Sequence, residues 1–87
     1  MGALDGNAIG GLLLQVFGVE MTMARGVCGQ CGAAGPVAEM VVYLSAPGTV
    51  ARCRSCGAVL MVLVQIRGIA CVDLGGLAEL EVHPAHL

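Results

Sequence analysis

Tryptophan and lysine are missing from this chain of 87 residues, and phenylalanine and tyrosine occur once each. The interior must therefore be aliphatic, and there is no set of aromatic rings on which single-stranded nucleic acid could stack. Charge is scarce as well: 11% of residues carry one, the formal net charge is −2, and every cation is an arginine. A generic nucleic-acid binder is basic, so this balance counts against that class of partner. Histidine occurs only as His83 and His86, which removes the Ser-His-Asp and Cys-His constellations; no paired carboxylates stand in for them, and no enzyme is expected. A small-molecule substrate is not evident either. Long hydrophobic runs are absent too. The longest, residues 58–64, has seven members, against about 20 for a membrane-spanning helix. Asp5 stands where a positive leader region would be, and no cleavage pattern follows, so no secretory signal is expected. The compartment expected from this is the cytoplasm, where thiols stay reduced.

What the chain has in quantity is aliphatic surface, at 57% apolar residues. Disorder is excluded by such a composition. One domain spanning residues 1–87 is expected, and a domain this short buries only about 60–65% of its unfolded surface. Folds of that size rely on a staple: metal, disulfide or oligomer. So much apolar surface on so thin a core points to a protein partner or a second copy covering part of it.

The expected fold is small α+β, an N-terminal amphipathic helix packed on an antiparallel zinc-ribbon sheet of four to five strands. Residues 1–19 hold the helix, 20–76 the ribbon and sheet, and 77–87 a tail with at most a short edge segment. Ile9, Leu12, Leu13, Val16 and Phe17 share one helical stripe. Asp5 or Asn7 can cap its start, and Gly18 suits the left-handed residue that ends it. Leu14 lies off the stripe. Residues 20–27, 37–45, 49–53, 59–67 and 69–74 read as strands, with a turn at Pro47-Gly48. The unbroken apolar run in 59–64 implies burial on both faces. Cys71, among Ile69, Ala70 and Val72, reads as a small core residue. His83 and His86 flank Pro84, which spoils a shared helical face, and read as solvated tail residues.

Two segments match closely: Cys28-Gly29-Gln30-Cys31-Gly32-Ala33 and Cys53-Arg54-Ser55-Cys56-Gly57-Ala58, repeated at a spacing of 25 residues. Two residues between cysteines let one tight turn aim both sulfurs at a single ion, and the glycine that follows allows positive φ. Two such turns supply four sulfurs in a tetrahedron. The intervening 21 residues suffice for a hairpin that returns the second turn to the first. The metal ligands are thus Cys28, Cys31, Cys53 and Cys56, and the cofactor is one structural Zn2+ in a closed, non-catalytic site. Iron in a rubredoxin-like site shares the geometry, but its usual aromatic shield is lacking. Disulfides would call for a secretory signal, and a redox pair is normally single, which two matched copies argue against. With four thiolates and one divalent ion the chain would carry about −4, and Arg25, Arg52 and Arg54, each within three residues of a ligand, balance that charge or offer a small anion surface.

Leu4-Asp5-Gly6-Asn7-Ala8, Phe17-Gly18-Val19-Glu20-Met21-Thr22 and Gly35-Pro36-Val37-Ala38-Glu39 carry a resemblance. So do Pro47-Gly48-Thr49-Val50, Arg52-Cys53 and Ala58-Val59-Leu60-Met61. With them the chain resembles an uncharacterised family of small actinobacterial zinc-ribbon proteins, a domain of unknown function. The resemblance implies the ribbon and assigns no activity. The function expected is a non-catalytic binding or adaptor protein acting through protein contacts. The alternatives are a transcription or translation accessory on nucleic acid, by fold analogy alone, and a zinc-responsive regulator.

Overall fold

The computed structural model describes residues 4–45 and 48–82. The turn expected at Pro47 and the histidines of the tail lie outside them. Asp5 closes a two-residue strand, β1 (Leu4–Asp5), and its carboxylate accepts the Asn7 N–H at 3.1 Å. That cap starts a 3₁₀ turn, Gly6–Ile9, which runs into α1 (Gly10–Phe17). Gly18, at φ 77°, ends α1 in the left-handed conformation with its N–H on the Leu14 carbonyl. Both caps are those expected. The α-helix itself starts only at Gly10, because the first turn of the helical segment, Gly6–Ile9, is 3₁₀.

The stripe is also as expected. Ile9 and Leu13 are buried, Leu12, Val16 and Phe17 half-buried, and Leu14 exposed. Ile9 and Leu13 meet the core beside a second 3₁₀ turn, Val37–Glu39, where Gly6 lies so close that a Cβ on it would fall 1.9 Å from the Val37 carbonyl oxygen. One short α-helix stands with two antiparallel sheets, so the fold is mostly β.

Seven further strands follow: β2 (Arg25–Cys28), β3 (Ala34–Pro36), β4 (Val41–Ser45), β5 (Gly48–Arg52), β6 (Val59–Ile66), β7 (Ile69–Asp73) and β8 (Leu77–Glu81). They form two antiparallel sheets instead of one. The larger has the order β1-β4-β5-β6-β7, the smaller β3-β2-β8. The expected tail segment is thus a full edge strand on β2. Residues 20–24 are not strand: Glu20 accepts from the Thr22 hydroxyl and N–H, and this local turn holds its carboxyl below the usual range. Burial returns only with Met21 and Ala24.

Cross-strand partners share a sheet face. On the inner face Val42, Ala51 and Met61 line up, beside Thr49 and Leu63, all buried. On the outer face lie Tyr43, Val50, Val62 and Val64, with Ile66 opposite Ile69 and Val64 opposite Cys71. Here two expectations are corrected. The run 59–64 is not buried on both sides: Leu60, Met61 and Leu63 are, whereas Val62 and Val64 are half-buried and Val59 is exposed. Cys71 is exposed on the edge strand β7, not in the core. Both errors share one cause: apolar residues continue onto a face that no other described element covers.

Candidate metal centre

Each sheet contributes one cysteine turn. The first follows β2 and the second follows β5, and in both strands the register shifts just before the turn, between Val27 and Cys28 and between Ala51 and Arg52. Such irregularities re-aim the chain. Beyond them the two turns are built alike. Gly32 N–H donates to the Cys28 carbonyl at 3.0 Å, and Gly57 N–H to the Cys53 carbonyl at 2.9 Å. Cys28 N–H donates to the Ala33 carbonyl at 2.9 Å, and Cys53 N–H to that of Ala58 at 2.8 Å. Gly32 and Gly57 both sit at φ 79°, which explains the glycine after each second cysteine. Gln30 N–H and Ser55 N–H each point at the first sulfur of their turn at 3.3 Å.

The turns face each other crosswise. Cys28 Sγ lies 3.7 Å from Cys56 Sγ, and Cys31 Sγ lies 3.7 Å from Cys53 Sγ. All four sulfurs fall within 4.8 Å of one another. Four sulfurs about 2.3 Å from a common centre have edges of about 3.8 Å, so the constellation has the size of a metal tetrathiolate. A disulfide needs about 2.05 Å, and none of the five cysteines is in one. Cys28 and Cys53 are buried, Cys31 and Cys56 exposed. Their acidities diverge likewise. Cys53 is pushed down to about 6, first by the Cys56 N–H and next by that of Ser55, against desolvation. Cys56 is pushed up to about 12: the Ala58 N–H lowers it, but desolvation and the sulfurs of Cys31, Cys28 and Cys53 outweigh that. Sulfurs this close resist sharing several negative charges, and a cation among them relieves the repulsion. The residues can hold a metal ion, and soft thiolates favour zinc, copper(I) or iron.

The arginines do less than their positions in the chain suggest. Arg52 donates to the Gly57 carbonyl at 2.9 Å, and its guanidinium lies 6.0 Å from the centre of the Tyr43 ring. Arg54 pairs with Glu39 at 3.9 Å across an exposed surface. Arg25 begins β2, at the end away from Cys28, with Glu81 opposite on β8. Each thus has its own neighbour, and Arg52 braces the second turn through its backbone. Beside the buried cysteines lies a cavity of about 90 Å³, lined by Gly26, Met40 and Leu60 and by the Glu39–Arg54 pair.

A backbone contact links the first cysteine turn to the start of β6. Gly29 N–H donates to the Gly76 carbonyl at 2.9 Å, and a Cβ on Gly76 would fall 1.9 Å from the carbonyl oxygen of Val59, just past the second turn. Gly75-Gly76 reads as a strand end; the second glycine's missing side chain is what lets the first turn lean, through Gly76, on the start of β6.

Over residues 1–85 the chain matches the family described as Family of unknown function (DUF6510). It belongs to that family. No curated protein and no solved structure matches it. Among the described residues no helix is long and apolar enough to cross a membrane.

Proposed function

We propose that this member of DUF6510 is a non-catalytic, cytoplasmic zinc-ribbon protein. In this reading Cys28, Cys31, Cys53 and Cys56 hold one structural Zn2+, and the outer face of the larger sheet binds another protein. The observation that carries the interaction reading is that face: Tyr43, Ile66 and Ile69 are 40, 53 and 66% exposed on one aliphatic surface. Contiguous apolar surface of this kind marks contact sites. A shallow concavity lined by Tyr43, Val50, Arg52 and Gly57 adds shape to it.

The zinc assignment is supported by four thiolate donors at tetrahedral spacing. Zinc bound there is fully coordinated, with no open position for water or substrate, so its contribution is to the fold. Arg52 and Arg54 have protein partners, which withdraws support from nucleic acid as the partner. The test is affinity purification of the zinc-loaded protein from native cytoplasm, with and without chelator, beside an Ile66→Glu variant. A stoichiometric partner that is lost with chelator and lost again in Ile66→Glu, while the variant keeps its metal, is the expected result. Recovery of the same partner by Ile66→Glu would sink the outer-face reading.

A further inference from the structure

Two sheets among the described residues have four edges, and three of them are blunted. β1 is two residues long and contains Asp5; β3 is three residues long and ends at Pro36; β8 carries Glu79 and Glu81. Shortness, proline and like charges are the usual defences against pairing with another chain. The edge β7 is neither short nor broken by proline, and its one charge is at its end. Its sequence Ile69-Ala70-Cys71-Val72-Asp73 runs uncharged to its last residue, without proline or register shift, and all five residues are exposed.

Its free hydrogen-bonding groups follow from the hairpin. β6 and β7 are joined by Arg67-Gly68, at φ 52° and 79°, with Ile66 opposite Ile69. A two-residue connection makes that pair a hydrogen-bonded one, and alternation then turns Ile69, Cys71 and Asp73 toward β6. The N–H and C=O groups of Ala70 and Val72 face outward. Charge adds a direction: Arg67 precedes the strand and Asp73 ends it. An antiparallel neighbour with the same sequence brings the positive end of each strand toward the negative end of the other. A parallel one puts like charges together.

We infer that the β7 edge pairs with the β7 edge of a second copy of this chain, antiparallel across a two-fold axis, to make one ten-stranded sheet. The register that uses the whole strand sets Ala70 opposite Val72 in hydrogen-bonded pairs, with Cys71 facing Cys71 of the other copy between them. Such an isologous contact closes on itself. It also doubles the outer aliphatic face, and it deepens the interaction reading above, on which it rests, by naming one partner.

The test is sedimentation of the zinc-loaded full chain under reducing conditions, with amide exchange on the same samples. Dimer is expected, with protection of the Ala70 and Val72 amides that rises with protein concentration. Ala70→Pro removes only an outward N–H, a change an edge strand tolerates, and is expected to give a monomer with unchanged metal content. Diamide, reduced to its hydrazine as two Cys71 thiols become one disulfide, is expected to cross-link the wild type. The opposing Cα atoms would be about 4.5 Å apart, within disulfide range. A wild-type monomer at its highest soluble concentration, or fast exchange at Ala70 and Val72 throughout, would overturn the pairing. So would a dimer that survives in Ala70→Pro. A monomer that still recovers a chelator-sensitive partner through Ile66 overturns this edge alone and leaves the outer-face reading standing.

Discussion

Cys31 and Cys71 are both exposed cysteines, yet only Cys31 has other sulfurs around it. Cys31→Ser is expected to lose stoichiometric zinc and native sheet content, whereas Cys71→Ser keeps both; a colorimetric zinc assay and circular dichroism check the pair. The four-sulfur cluster was readable in the chain because the Cys-x-x-Cys-Gly-Ala segments are local: turn, sulfurs and positive-φ glycine lie within six residues. Gly76 was not readable in this way, since the Val59 carbonyl it touches is distant in sequence. Gly76→Ala is expected to destabilise by about 1–3 kcal/mol or more, because backbone cannot yield as a side chain does. Each kcal/mol lowers Tm by roughly 4–8 °C in a domain this small, so a thermal melt of the zinc-loaded protein decides it.

At the scale of elements, α1 was legible from its stripe and its two caps, and its weak point follows from the same residues. Leu13 is fully buried, and Leu13→Ala is expected to cost about 2–5 kcal/mol in denaturant unfolding. Gly11 is the opposite case. A Cβ there meets nothing within 4 Å, so Gly11→Ala is expected to stabilise by about 0.5–1 kcal/mol through helix propensity. If Gly11→Ala destabilised instead, the placement of α1 would be wrong. The strands were less legible. β6 is apolar at six consecutive positions, Val59 to Val64, so its hydrophobic pattern could not say which residues face inward. Pairing decided it, through Ala51 opposite Met61 and Thr49 opposite Leu63.

For the whole molecule, the cysteine turns belong to different sheets, so a bound ion would clamp β3-β2-β8 to the larger sheet. Structural zinc contributes on the order of 10–16 kcal/mol in small finger peptides, comparable to or above the whole net stability of about 5–15 kcal/mol in ordinary domains. A strong chelator is therefore expected to unfold the protein, and added zinc to restore it, seen as reversible loss of far-ultraviolet dichroism. Acid is expected to act in the same direction: a metal would bind the cysteines as thiolates, protons would compete with it, and stability would fall as pH falls. Native-like sheet content after complete metal removal would refute the clamp.

Short-range chemistry sets the four-sulfur cluster, the glycine after each cysteine pair and the capped helix, all legible along the chain. Each depends on residues a few positions apart, where backbone geometry leaves little choice. Long-range packing sets the division into two sheets, the place of Gly76 between Gly29 and Val59, and the engagement of Arg52 and Arg54 by Gly57 and Glu39. It also decided that β7 ends its sheet with Cys71 in the open. Where a sheet stops depends on strand pairing across the chain, and an apolar residue has the same letter on a covered face as on a bare one.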